Sequence, residues 1–214
     1  MTVNQRVPGS SPGGGANISN MTKYTYENDN LVDENGLTVM MGWERPIMKK
    51  VADIITNKGG DILNIGFGMG IIDTYIHELN PKSHTIIESH PDVINYMKEN
   101  NWEDKSNCVY GRWQDHVDTI GQFDGIYLDT WMEQRVPFIP NFLDKCLKVG
   151  GIFSIWYNQI EFDSLLSILS DNYEVSYIEM DNDGLIPEQQ YEKGGFYINP
   201  VLEKITIPII TRLR

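Results

Sequence analysis

One short segment constrains the fold of this chain more than any other. Residues 61–70 read DILNIGFGMG, an apolar run that leads directly into a turn with three glycines, Gly66, Gly68 and Gly70. Glycine lets the backbone turn tightly and approach a ligand closely. A turn of this kind, placed after a strand and before a helix, is typical of α/β proteins that bind a nucleotide-like ligand.

Short apolar runs and helical patterns alternate along the rest of the chain. Such alternation indicates a parallel sheet covered on both faces. The last two predicted strands have no helical pattern between them, which favours an antiparallel strand at one edge. The expected fold class is therefore α/β and Rossmann-like, with a mostly parallel seven-stranded sheet. We predict helices over residues 39–57, 71–79, 91–100, 138–147 and 162–170, and strands over 61–66, 84–88, 108–110, 123–129, 151–157, 173–180 and 205–211.

The length of 214 residues indicates one folded domain, which we place at 43–214. Residues 1–22 are rich in Gly, Pro, Ser and Asn and are expected to form a disordered extension. Met21 offers an alternative start, which leaves open whether the first twenty residues are native. Residues 23–42 are polar and acidic and are expected to form a lid-like segment.

Charge and composition exclude several classes of partner. The net charge of −13 repels phosphate backbones, so no nucleic acid is expected as a main partner, whereas cationic partners are favoured. No apolar stretch approaches the roughly 18–20 residues that span a membrane, and no secretory core is present. Cys108 and Cys146 fit neither a disulfide framework nor a metal site. We therefore expect a cytoplasmic protein with reduced thiols and no metal.

The surroundings of the glycine turn indicate which cofactor it holds. Glu88 ends the next predicted strand, 22 positions after Gly66, where an acidic side chain hydrogen-bonds ribose hydroxyls. The turn has the spacing GxGxG, whereas dinucleotide sites use GxGxxG and hold a pyrophosphate at the helix N-terminus. Residues 147–151, LKVGG, also resemble the L-K-P-G-G turn of class I methyltransferases. Together these features favour S-adenosylmethionine, with S-adenosylhomocysteine as product, over NAD. The cofactor loop would consist of Gly66, Phe67, Gly68, Met69 and Gly70.

Four segments resemble the guanidinoacetate N-methyltransferases. Residues 41–48, MGWERPIM, are similar to their W-E-x-P-x-M segment, and residues 64–69, NIGFGM, to their V-G-F-G-M loop. Residues 86–88 match their I-I-E, and residues 123–130, FDGIYLDT, look like their F-D-G-I-L-Y-D-T.

The chain is at least as similar to the catalytic domain of the fungal arginine N-methyltransferases that modify the delta nitrogen. Their pattern includes G-F-G-M-G-I-I-D, I-I-E-x-H-P-D-V and G-R-W-Q-D, which correspond to residues 66–73, 86–93 and 111–115. The resemblance runs from about residue 41 to 157. No ankyrin-like repeats precede the domain, which is one departure from the fungal enzymes. Leu128, the segment 131–133 and the segment 157–159 depart from the family pattern, which leaves open what carries the guanidino group.

The resemblance implies a role for each matching residue. Glu44 and Asp129 would be the catalytic carboxylates that bind the guanidinium, although a helix-dipole role for Glu44 and a turn-forming role for Asp129 are the simpler alternatives. Besides the glycine loop, the cofactor would contact Glu88, His90, Trp113, Gln114 and Asp129. The substrate pocket would contain Glu44, Asp129, Thr130, Trp43, Tyr26, Tyr157 and Asn158.

The predicted function is S-adenosylmethionine-dependent N-methylation of a guanidino group. We expect a small substrate such as guanidinoacetate, arginine or a related guanidine, because the chain offers no separate docking domain. A protein-arginine N-methyltransferase is the first alternative, since the acidic surface suits a basic protein. A polyamine aminopropyltransferase and a catalytically silent module that binds S-adenosylmethionine are two others.

Overall fold

The computed structural model describes residues 22–130, 133–182, 185 and 204–214. Of the predicted extension, all but Thr22 lies outside the described residues. The helices and strands are, in chain order, β1 (Tyr24–Glu27), β2 (Asn30–Asp33), β3 (Thr38–Met41), α1 (Arg45–Ile55), β4 (Asp61–Ile65), α2 (Ile71–Glu78), β5 (Ser83–Glu88), α3 (Pro91–Glu99), β6 (Asn107–Tyr110), β7 (Phe123–Leu128), α4 (Ile139–Cys146), β8 (Leu147–Ile155), α5 (Gln159–Leu166), β9 (Tyr173–Asp181) and β10 (Lys204–Arg212).

A seven-stranded sheet in the order β6-β5-β4-β7-β8-β10-β9 forms the centre of the molecule. Strands β6, β5, β4, β7 and β8 are parallel, and β10 runs antiparallel to both β8 and β9. The predicted α/β class and the mostly parallel sheet are confirmed. The antiparallel strand, β10, is the second strand from the edge of the sheet. It pairs along nine residues with β9, which is the edge strand.

Side chains of the central strands point alternately into two hydrophobic cores, one on each face of the sheet. Ile62 and Tyr127 face a core built with α1, α2 and α3. Leu63 and Ile126 face the opposite core, which contains buried residues of α4 and α5. The strands are therefore covered on both faces, as a parallel sheet requires. In the described part of the chain, no helix combines the length and apolar character needed to cross a bilayer.

A second, three-stranded antiparallel sheet precedes α1 and corrects the prediction of a helix from residue 39. Residues of β3 pair with β2, with Met41 opposite Asn30. The helix begins only at Arg45, after a single 3-10 turn at Gly42–Glu44. Pro46 then lies in the first turn, where its missing N–H costs no helical hydrogen bond.

Two further boundaries differ from the sequence prediction. Helix α5 begins at Gln159 rather than at residue 162, because the Asn158 side chain accepts a hydrogen bond from Glu161 N and caps the helix. Strand β8 begins at Leu147, and its register against β7 shifts between Phe123 and Gly125. The glycines in this stretch do not end the strand.

Candidate active site

The carboxyl ends of β4, β5, β7 and β8 meet at one edge of the sheet. Backbone hydrogen bonds continue past the strands, from Gly66 N to Ile87 O at 2.9 Å and from Asp129 N to Ile65 O at 2.9 Å. The loops that carry Gly66, Glu88 and Asp129 are therefore held side by side. In open α/β sheets this edge is where ligands bind.

The glycine turn between β4 and α2 adopts a backbone that other residues rarely reach. Gly66, Gly68 and Gly70 have φ values of +92°, +55° and +68°. A Cβ on Gly66 would lie 1.9 Å from the carbonyl oxygen of Asp129. The two loops approach so closely that only glycine fits at this position.

Glu88 is buried below the glycine turn and binds its backbone. Its Oε2 accepts from Phe67 N at 2.9 Å, and its Oε1 accepts from Ser89 N at 2.6 Å and His90 N at 2.7 Å. Two carboxylate oxygens offer about four acceptor positions, so capacity for a further donor remains. The side chain can thus hold the turn and a ribose hydroxyl at once.

The N-terminal sheet packs over the same turn. The Tyr26 hydroxyl donates to Gly68 O at 2.8 Å, and its ring stacks on Tyr96 with centroids 4.0 Å apart. Tyr24 stacks on His90 at 3.7 Å, while a ring nitrogen of His90 lies 2.8 Å from Thr22 O. Tyr26 was expected in the substrate pocket; the structure places it on the glycine turn.

Trp113 and Gln114 meet at Glu133, a residue whose role the sequence did not indicate. Trp113 Nε1 donates to Glu133 Oε2 at 3.0 Å, and Gln114 Nε2 donates to Oε1 at 2.5 Å. The Trp113 ring is 2% exposed and packs edge-on against Phe142 in the core. Gln114 Oε1 is buried and has no partner among the described residues, so it can accept from an amino group.

Glu44 and Asp129 form an acidic pair, contributed by the start of α1 and the end of β7. Glu44 is 3% exposed and accepts from Met41 N at 2.8 Å. Burial, together with the nearby charge of Asp129, raises the pKa of Glu44 well above its ordinary value. Burial raises the pKa of Asp129 to about 6, although Arg135 and the Tyr127 hydroxyl lower it. Such a pair favours a bound cation, because a cation restores the ionised form of both carboxyls.

Two neighbours of the pair were missed at the sequence level. Tyr127 is 1% exposed, and Arg135, on the loop that leads to α4, is 5% exposed. The only sequence feature that could have pointed to Arg135 is its position. It is a cation in the loop after β7, which lies at the ligand-binding edge of the sheet. No motif identified Arg135.

The remaining predicted substrate residues are dispersed around the pair. Thr130 Oγ1 is buried without a partner among the described residues, and Trp43 Nε1 contacts Met41 Sδ at 3.1 Å. Asn158 is engaged as the cap of α5. Tyr157 borders an apolar pocket between α1, β8 and β10. That pocket is lined by Ile47, Val51, Tyr127, Ile155, Trp156, Tyr157, Ile205, Thr206, Ile207 and Pro208.

Within the described ranges, no group of three or more His, Cys, Asp or Glu side chains is arranged to hold a metal ion. The groups with capacity for a further hydrogen bond are instead the Glu88 carboxylate and the Gln114 side-chain oxygen. These groups suit an uncharged nucleoside with hydroxyl and amino groups better than an inorganic cation.

Comparison with known protein families decides the family. The model described as guanidinoacetate N-methyltransferase matches residues 16–197 of this chain. The chain belongs to the guanidinoacetate N-methyltransferase family. This family and its fold both indicate S-adenosylmethionine as the cofactor, as the spacing of the glycine turn predicted.

Curated relatives of the chain carry the name protein arginine N-methyltransferase 2. The relative from Candida glabrata is 48% identical in an alignment of 201 positions that covers 82% of this chain and 48% of that protein. The relative from Yarrowia lipolytica is 36% identical and is matched over 79% of this chain and 38% of its own length. The chain thus spans half or less of these relatives.

Solved structures of methyltransferases share the fold. A methyltransferase from Podospora anserina, bound to S-adenosylhomocysteine, has a TM-score of 0.54 at 16% identity, with 79% of this chain and 77% of that chain covered. An O-methyltransferase from Streptomyces achromogenes, in complex with S-adenosylmethionine, has a TM-score of 0.54 at 12% identity, with 79% and 80% covered.

Proposed function

We propose that this chain is an S-adenosylmethionine-dependent methyltransferase that acts on the guanidino group of arginine, with arginine in a protein as the preferred substrate. The observation that carries the proposal is the acidic pair: Glu44 is buried, Asp129 is half-buried, and both have raised pKa values. The names of the curated relatives favour a protein substrate over the small molecule expected from the sequence. The net charge of −13 suits a basic protein as well.

The cofactor site would use residues on three loops. Gly66, Gly68 and Gly70 would bring the backbone against the cofactor, and Glu88 would bind its ribose. Gln114 Oε1, buried and unpartnered among the described residues, would accept from the amino group of the adenine. When bound, S-adenosylmethionine supplies an electrophilic methyl group.

The acidic pair would prepare the guanidino group as a nucleophile. A guanidinium is protonated at all ordinary pH values, and its delocalised electrons make it a poor nucleophile. Glu44 and Asp129 would bind it through charge-assisted hydrogen bonds and orient one nitrogen in line with the methyl group. As the methyl group moves from the cofactor's sulfur to that nitrogen, so that the S–C bond breaks and an N–C bond forms, the nitrogen would release a proton, which one of the two carboxylates would accept.

A small guanidine is the second candidate, because the matching family model is described as guanidinoacetate N-methyltransferase. The two candidates share the acidic pair and differ only in what carries the guanidino group. They predict different preferences within one panel of substrates.

A substrate panel followed by mass spectrometry tests the proposal. The panel contains arginine peptides, free arginine, guanidinoacetate and a polyamine, with S-adenosylmethionine as donor. We expect one methyl group added to arginine peptides, and at least a roughly hundredfold loss of turnover in Glu44→Gln and in Asp129→Asn. Glu34→Gln, at an exposed position, serves as the control. Normal turnover in both site variants would refute the mechanism, and an aminopropyl product on the polyamine, in a parallel reaction with decarboxylated S-adenosylmethionine as donor, would refute the reaction.

A further inference from the structure

Arg135 is a buried cation beside the acidic pair. Among the described residues, its guanidinium has fewer hydrogen-bond acceptors than its N–H groups require. It lies in the loop between β7 and α4, six positions after Asp129, and its side chain is 6% exposed. Nη2 contacts Glu161 Oε2 at 2.5 Å. Nε and Nη1 are buried and have no hydrogen-bond partner among the described residues.

An unsatisfied guanidinium of this kind needs a physical explanation. Arginine does not lose its proton in proteins, so it cannot reduce the cost of burial by becoming neutral. Buried N–H groups are nearly always hydrogen-bonded, and exceptions mark strain, catalysis or a bound group. Glu161 neutralises the charge but satisfies only one of the three nitrogens.

Arg135 lies near Asp129, at the carboxyl end of β7. The positive charge of Arg135 acts on both Asp129 and Tyr127, which places it next to the acidic pair. A substrate guanidinium held by Glu44 and Asp129 would be repelled by a second guanidinium. The neighbour of Arg135 must therefore be a different, electron-rich part of the substrate.

We propose that Arg135 binds the oxygen carried by the substrate's backbone, a carbonyl in an arginine peptide or the carboxylate of free arginine. This inference rests on the proposed function and adds to it a residue that recognises the other end of arginine. Charge-assisted hydrogen bonds to such an oxygen satisfy N–H groups that no described residue satisfies. Arg135 is then a determinant of specificity, since a guanidine without this oxygen gains nothing from it.

Comparison of arginine with agmatine, which lacks the carboxyl group, isolates this contact. In Arg135→Met the buried cation is replaced by an apolar side chain of similar length, and the Glu161 carboxylate that loses its partner is 38% exposed, so that water can solvate it. We expect KM for free arginine and for an acetylated, amidated arginine to rise about tenfold or more, and KM for agmatine to change less than about twofold. Lys49→Met, which removes an exposed cation on α1, is the control and should leave both values unchanged.

Binding to the protein loaded with S-adenosylhomocysteine, measured by calorimetry, separates this inference from the proposed function. If arginine binds but is not methylated, the proposed function fails, and the affinities of arginine and agmatine still test Arg135. An equal loss for both compounds would overturn the inference, because it indicates general damage to the pair. Weaker binding of S-adenosylhomocysteine itself would overturn it as well. A larger loss for the acetylated, amidated arginine than for free arginine would identify the carbonyl as the favoured acceptor.

Discussion

At the scale of single residues, the ionised form of the acidic pair is electrostatically unfavourable in the free protein, and a cationic ligand stabilises it. Glu44 and Asp129 both have raised pKa values, and burial is the largest cause in each case. Glu44 is 3% exposed and accepts from Met41 N in the turn before α1, so it makes a structural contact and also bears the cost of burial.

The raised pKa values predict how catalysis depends on pH. Asp129, with a pKa of about 6, is largely protonated below that pH in the free protein, and a neutral carboxyl binds a guanidinium weakly. We expect kcat/KM for an arginine substrate to rise with pH through about 6. Binding of S-adenosylhomocysteine should stay constant over the same range. A flat kcat/KM profile there would contradict this assignment.

The same shift predicts a conflict between stability and function at Glu44. Its folded-state pKa is raised, so the folded protein holds the proton more tightly than the unfolded chain does. Stability therefore falls as pH rises from the ordinary glutamate value of about 4.3 through the folded-state pKa. We expect Glu44→Gln to be more stable than the parent at about pH 8 and equal to it near pH 4.

Thermal unfolding of the free protein at the two pH values measures this difference. Glu34→Gln removes a carboxylate from an exposed position and should leave the stability unchanged. A lower stability of Glu44→Gln at the higher pH would mean that Glu44 is a net stabilising group. The pair would then be structural.

At the scale of elements, the central sheet was predictable and the N-terminal sheet was not. Strands β4, β5, β7 and β8 contain short apolar runs, and each is followed by a helical pattern, so local pattern places them. Strands β1 to β3 have four residues each, and only β2 and β3 contain buried residues, two in each strand. Tyr24 of β1 stacks on His90, and Tyr26 stacks on Tyr96. These contacts join distant parts of the chain, so no local sequence pattern predicts them.

Some residues of the candidate site were predictable from the sequence, and others were not. Glu44, Glu88 and Asp129 lie at element ends, where topology and motif predict ligand contacts, and the structure brings their loops together. Glu133 and Arg135 lie in a loop whose path depends on packing against α5 and the Trp113 turn. Their roles follow from contacts more than 15 positions apart in sequence, which spacing arguments do not reach.

The N-terminal sheet is expected to control how long the cofactor remains bound. Tyr26→Phe keeps the stack on Tyr96 but removes the hydrogen bond to Gly68 O. Loss of one hydrogen bond should speed dissociation of S-adenosylhomocysteine about threefold to tenfold in stopped-flow measurements. Tyr24→Phe is the matched control, because its ring also stacks and its hydroxyl donates to none of the described residues. Equal rates in the two variants would mean that the contact does not retain the cofactor.

At the scale of the whole molecule, the net charge of −13 should distinguish a protein substrate from a small one. A basic peptide carries several positive charges, so its encounter with an acidic surface is accelerated at low salt, whereas free arginine has little net charge. Screening shortens from about 10 Å at 0.1 M salt to about 3 Å at 1 M. We expect kcat/KM for an arginine peptide with lysine neighbours to fall steeply between these concentrations, mostly through KM, and kcat/KM for free arginine to change little.

A peptide in which glutamates replace the lysines is the control for length and should lose this dependence. If all three substrates respond equally to salt, the surface charge serves solubility alone and the case for a protein substrate loses its electrostatic support.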